Sequence, residues 1–138
     1  MTPPPPIRNA ALAASAGTGK TFALSNRYLA LLAAGAEPAS IVALTFTRKA
    51  AGEILSRILT RLAAAAASPA GFAELTERLT EAHLPAFADR PAVQAALRSL
   101  VQSLPLLRIG TLDSFFLQIL RPFRLEAGIA AELAISSP

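Results

Sequence analysis

Apolar positions recur at two spacings along this 138-residue chain. Ala10 to Ala14 form a short apolar run of buried-strand length. From Thr21 to Ala34, Phe22, Leu24, Tyr28, Leu29, Leu31 and Leu32 reach almost all the way round a helical wheel, which predicts a helix covered on more than one side. Gly35 suits its C-terminal cap, and Pro38 blocks any continuation. Ile41 to Phe46 is a β-branched and aromatic run that predicts a second strand. Ile54, Leu55, Ile58, Leu59 and Leu62 then form the apolar stripe of a helix from about Arg48 to Ala67, ended by Ser68, Pro69 and Gly71. On that helix Glu53 and Arg57 stand four apart, in the favourable order for a surface ion pair.

A helical insertion follows, over about residues 71–104. Phe72, Leu75 and Leu79 give one amphipathic pattern; Val93, Leu97, Leu100, Val101 and Leu104 give another. Pro85 and Pro91 bracket the break between them, and Pro105 closes the insertion. Leu106 to Ile109 predicts a third strand, and Leu112 to Leu120 a helix that stops before Pro122. Phe123 to Pro138 is weakly patterned. The order β-α-β-α-(α-α)-β-α predicts an α/β fold, a parallel sheet flanked by helices. Residues 1–9 read as a proline-rich leader without a signal-peptide pattern, and residues 10–138 as one domain. No internal repeat is visible.

Composition narrows the chemistry. Cysteine is absent, which removes disulfides and thiolate chemistry and suits a reducing cytoplasm. His83 is the only histidine, so a Ser/His/Asp triad or a histidine-rich metal site is not expected, and His83 itself reads as a partly exposed helix-end residue. Lys and Arg outnumber Asp and Glu by 13 to 9, a net charge of +4 that mildly favours polyanions. The long apolar windows are interrupted by Lys20, Arg27, Lys49, Arg57 and Arg61, so no membrane span is expected.

The strongest chemical signal is Ala14-Ser15-Ala16-Gly17-Thr18-Gly19-Lys20-Thr21, set between the first predicted strand and the first predicted helix. This is a phosphate-binding loop. Its small residues let backbone N–H groups close around phosphate oxygens, and the following helix adds its positive dipole end. Lys20 supplies a charge to the β- and γ-phosphates of ATP, and the Thr21 hydroxyl can ligate Mg2+. Ala14 replaces the glycine usual at the first position, a mild change where the turn begins.

Two further blocks stand at the carboxyl ends of predicted strands, where an open α/β sheet places its ligands. One is Thr45-Phe46-Thr47-Arg48-Lys49-Ala50-Ala51-Gly52-Glu53-Ile54, leading to Arg57-Ile58; the other is Gly110-Thr111-Leu112-Asp113-Ser114-Phe115-Phe116. With the phosphate loop, and with Phe123-Arg124-Leu125-Glu126-Ala127-Gly128 behind them, they occur in the order of the N-terminal part of superfamily I DNA helicases. The chain resembles the UvrD/RecB type, and within it the helicase–nuclease proteins of RecB/AddA kind. The resemblance implies an incomplete P-loop NTPase (RecA-like) domain that binds ATP and single-stranded DNA, with a role in recombinational DNA repair beside the rest of a helicase–nuclease complex. It implies DNA contacts from Thr45, Phe46 and Thr47 and from Thr111, Ser114 and Phe115. Against these stands the plainer expectation that Thr47 and Thr111 are helix caps, with both roles open at once. Phe116 is expected in the core. Arg48, Lys49, Arg57 and Arg61 are candidates for a basic track, though a charge run on a helix is usually a solvated face.

Other parts of that family's pattern are not found. No apolar strand followed by Asp-Glu occurs; Asp113 belongs to the Thr-Leu-Asp-Ser-Phe block, Glu132 has a weak context, and no glutamine-containing adenine segment precedes the loop. The expectation is a truncated motor segment that binds nucleotide weakly and hydrolyses it negligibly. The alternatives are a nucleotide-binding remnant without turnover and a different P-loop enzyme, such as a small-molecule kinase.

Overall fold

The computed structural model describes residues 7–11 and 18–123. Helix α1 spans Thr18–Ala33 and strand β1 Val42–Thr45, followed by helices α2 at Arg48–Ala67, α3 at Pro69–Glu81 and α4 at Arg90–Gln102. Strand β2 at Arg108–Thr111 and helix α5 at Leu112–Leu120 complete the order, with short 3-10 turns at Pro38–Ser40, Leu104–Leu106 and Arg121–Phe123. The architecture is mostly helical, with a parallel two-stranded sheet among the described residues. Of the first predicted strand, Ala10 and Ala11 are exposed and carry no strand, and Ala14 lies outside the described residues with its two predecessors.

Helix α2 is the centre of the packing, against α1, α3 and α4. Its buried residues Ala51, Ile54, Ile58, Leu62 and Ala65 repeat every three or four positions, so they form one stripe along its length. Burial of each large apolar side chain in that stripe contributes about 1.5–3 kcal/mol. Leu29, Leu32, Leu75, Leu79, Val93 and Leu100 close over it from the other three helices. The expectation of an α1 covered on several sides holds for Tyr28, Leu29, Ala30 and Leu32; Phe22 and Leu24 in its first half are exposed.

Corners are set by local chemistry. At the end of α1, Gly35 takes a positive φ of 92°, and Ala36 donates its N–H back to the Leu31 carbonyl at 3.0 Å. This is the left-handed helix stop anticipated for Gly35. The end of α3 uses the same geometry with His83 at φ 55°, and Leu84 donates to the Leu79 carbonyl at 2.9 Å. A non-glycine residue there costs roughly 1–2 kcal/mol, and His83 is exposed, as expected of a helix-end residue. Ser68 ends α2 and caps α3, its Oγ accepting from the Gly71 N–H at 3.1 Å. As expected, the second helix stops at Ala67 ahead of Ser68, Pro69 and Gly71; Pro69 and Gly71 also open the third, because a proline in the first turn has no N–H to leave unpaired. The turn is so tight that a Cβ on Gly71 would lie 2.2 Å from the Ala64 carbonyl oxygen. The start of α4 is pinned to the end of α2 where Arg90 Nη2 donates to the Ala66 carbonyl at 2.9 Å.

Both described strands sit slightly off their predicted spans. Ile41 is buried ahead of β1, and Phe46 has left it. Strand β2 starts two residues later than expected because Leu104–Leu106 form a 3-10 turn that leaves Leu106 exposed. Glu53 and Arg57 form no ion pair, and the exposed Arg78–Glu81 pair, 4.0 Å apart, adds little. No described helix is long and apolar enough to cross a membrane.

One core residue carries an unmet polar group. The Tyr28 hydroxyl is buried without a hydrogen-bond partner among the described residues, and burial pushes its pKa up to about 12. Replacing it with Tyr28→Phe removes that desolvation cost while keeping the ring, and is expected to raise stability by about 1 kcal/mol in urea denaturation. The unfolded tyrosine ionises near its ordinary value of 10, before the folded one, so the parent loses stability as pH rises from there to about 12. Tyr28→Phe removes this part of the loss, read as the difference between the two proteins' stability profiles over that window.

Candidate functional site

The two strands bring together the sequence blocks flanking them. Val42 pairs with Arg108, Ala43 with Ile109, Leu44 with Gly110 and Thr45 with Thr111, all in parallel. The carboxyl ends of both strands therefore lie side by side, and each leads into a helix. Thr45, Phe46, Thr47, Thr111 and Ser114 gather at one edge.

Hydroxyls organise that edge. Thr45 Oγ1 donates to the Thr47 carbonyl at 2.8 Å and reaches across to the Gly110 carbonyl at 3.4 Å. Thr47 caps α2, its Oγ1 accepting the Ala50 N–H at 3.1 Å. Thr111 caps α5, accepting the Ser114 N–H at 3.2 Å and donating to Ser114 Oγ at 2.9 Å. Capping uses the acceptor side of a hydroxyl only. Thr47 and Ser114 thus each keep an O–H with no partner among the described residues.

The aromatic residues divide differently from expectation. Phe46 is 87% exposed between β1 and the α2 cap. Phe115 is half-buried, and its ring centroid lies 6.4 Å from that of Phe116. Phe116, expected in the core, is 55% exposed, because α5 buries none of its residues fully. A shallow depression of about 260 Å³ lies between α2 and β2–α5, lined in part by Arg48, Gly52, Gly110, Thr111 and Ser114. A neighbouring one of about 160 Å³ shares Thr111 and Ser114 and adds Arg108, Phe115 and Gln118. Arg108 escaped the sequence reading; a basic residue opening the strand just before the Thr-Leu-Asp-Ser-Phe block is the signal that could have found it.

The four candidate arginines and lysines do not form one track. Arg48 and Lys49 are exposed in the first turn of α2, Arg57 is half-buried, and Arg61 turns inward to hydrogen-bond the Asn26 side chain of α1.

Of the phosphate loop, Ala14, Ser15, Ala16 and Gly17 lie outside the described residues. Thr18 opens α1. Gly19 and Lys20 are exposed and Thr21 is half-buried, its carbonyl accepting from Ser25 Oγ at 2.8 Å. The first turn of α1 carries no acidic side chain, so nothing in that turn opposes an anion at the helix's positive end.

The caps have a measurable consequence. Thr47→Ala and Thr111→Ala are each expected to cost about 1 kcal/mol in urea denaturation, with Thr→Ser at either position retaining most of it.

Comparison with known proteins identifies a family. The family model for the UvrD/REP helicase N-terminal domain matches residues 5–137. An ATP-dependent helicase/nuclease subunit from Streptococcus sanguinis (strain SK36) is 33% identical over 128 residues, covering 93% of this chain and 9% of that protein. The corresponding helicase/nuclease protein of Latilactobacillus sakei subsp. sakei (strain 23K) is 30% identical over 112 residues, covering 81% of this chain and 10% of that protein. The chain thus spans about one-tenth of the length of these relatives. No solved structure matches it. The chain belongs to the UvrD/REP helicase N-terminal domain family.

Proposed function

We propose that this chain is the nucleotide-binding and strand-contacting N-terminal segment of an ATP-dependent DNA helicase, acting in recombinational DNA repair in the cytoplasm with the remainder of a helicase–nuclease complex. The observation that carries the proposal is the register placing Thr45 beside Thr111, with Phe46 in solvent next to them. Two blocks far apart in sequence then offer a polynucleotide one continuous edge. On it, the ring of Phe46 stacks on a base, the spare O–H groups of Thr47 and Ser114 donate to phosphates, and Arg48 supplies charge, with Arg108 at the amino end of β2 lining the adjoining depression beside Phe115. None of these contacts reads sequence, which suits an enzyme that must move along any strand.

In this reading, residues 14–21 are the phosphate-binding loop of a RecA-like domain. Lys20 and Thr21, at the start of α1, are the side chains that hold the β- and γ-phosphates and Mg2+. The bound nucleotide supplies the free energy of phosphoanhydride hydrolysis; the residues here bind and orient it. Positioning of the attacking water needs an acidic residue at a strand end; the sequence has no apolar run followed by Asp-Glu, and neither described strand ends in an acidic residue. The chain by itself therefore binds nucleotide without appreciable turnover.

The test is anisotropy of a labelled oligothymidylate with the purified chain, at low and raised salt. Phe46→Ala is expected to weaken binding about 10- to 100-fold, the value of one base–aromatic stack of roughly 1–3 kcal/mol. Lys20→Ala should abolish nucleotide binding and leave nucleotide-free DNA affinity intact. A small-molecule kinase predicts no DNA effect of Phe46→Ala, and that result rejects the helicase reading.

A further inference from the structure

Arg61 stands in an unusual place for an arginine. It lies on α2, yet its Nη1 donates to Asn26 Oδ1 on α1, where Asn26 is buried. Its guanidinium carbon sits 5.3 Å from the ring centroid of Phe22, also on α1. Phe22 and Asn26 are successive rungs of one helix face, and Phe22 directly follows Thr21. One side chain thus grips the turn of α1 that comes straight out of the phosphate loop.

Stability alone does not account for this arrangement. Arg61 Nη2 is buried with no hydrogen-bond partner among the described residues. Burial holds the guanidinium pKa below its usual value; Arg78 and Arg57 push it the same way, and Glu74 offers a partial offset. Apolar side chains in place of both Arg61 and Asn26 would fill the same space with no polar group left unpaired, and such replacements of a whole buried polar pair are often neutral or stabilising. What the guanidinium adds is direction. One N–H is aimed at Asn26 Oδ1 while the guanidinium plane sits by the Phe22 ring, and the two contacts together favour one rotation of α1 against α2.

We propose that Arg61 is a positioning residue that locks the nucleotide-facing start of α1 to the helix whose other end carries Phe46 and Thr47, and so links nucleotide occupancy to strand affinity. The inference rests on the function proposed above. Arg61 touches neither ligand. It acts by making α1 and α2 one rigid unit, so that a shift of Lys20 and Thr21 on binding phosphate is passed to the edge rather than absorbed between the helices.

The experiment measures oligothymidylate affinity with and without a slowly hydrolysed ATP analogue and magnesium. The parent is expected to show a linkage of at least about 5-fold, within the ordinary range for coupled sites. The double variant Arg61→Met with Asn26→Leu, which removes both partners, is expected to reduce it to less than about 2-fold while melting temperature and nucleotide-free DNA affinity hold. Arg61→Lys, which keeps the charge without the fork, should lose the linkage as well. Arg61→Met alone leaves Asn26 unpaired and is expected to melt lower; it serves if the double variant does not fold, and is read by the linkage factor only. A merely structural Arg61 predicts a lower melting temperature and both affinities weakened together, with the linkage factor unchanged. That outcome overturns the inference, as does a parent that binds both ligands with no linkage. A parent that binds neither ligand rejects the proposed function, and the inference falls with it.

Discussion

The pairing of β1 with β2 is the constraint on which the candidate edge depends. Four residues on each strand meet in parallel, and the chain between them travels out through α2, α3 and α4 before returning. Parallel strands cannot be joined by a tight turn, so such an excursion is required, and packing of its helices repays the cost of closing so long a loop. A slip of one residue would turn every side chain of a strand to the opposite face. Thr45 would then no longer stand opposite Thr111, and the two capped helices would start at different levels.

The excursion holds together through α2. Ile54, Ile58 and Leu62 are fully buried, and α1, α3 and α4 lean on them from separate directions. Two of the polar side chains left with an unpaired buried atom among the described residues differ in kind. The Tyr28 hydroxyl lacks a partner and contributes a cost with no compensating contact. Arg61 also leaves a nitrogen unpaired, but its remaining contacts cross from one helix to another and define an orientation. Of these two, only Arg61 offsets its burial with a directional hold, on Asn26 across the helix boundary.

Much of this was legible from periodicity and punctuation. The stripe on α2, the stop at Gly35, the helix Leu112–Leu120 and the break between the two insertion helices follow from apolar spacing and from glycine and proline positions. The caps at Thr47 and Thr111 were legible because a threonine ahead of a helical pattern has one dominant use. Strand edges were less so: Leu106 is apolar enough for a strand, and only the 3-10 turn around Pro105 takes it out. Phe116 was misplaced because an apolar residue on a helix does not announce whether anything covers it. Arg61 was illegible for a deeper reason. In sequence it continues a run of basic residues on α2, and nothing local distinguishes a guanidinium that faces water from one that reaches a neighbouring helix.

The corner at Ser68 has a consequence beyond this chain. Because a bare α-carbon at Gly71 lets the α3 backbone rest almost on the Ala64 carbonyl, no bulkier residue can occupy that position without splaying α2 and α3 apart. A homologous protein carrying alanine or serine there must open the angle between these helices. Its flank would be contoured differently, even where the phosphate loop and the threonine caps match letter for letter.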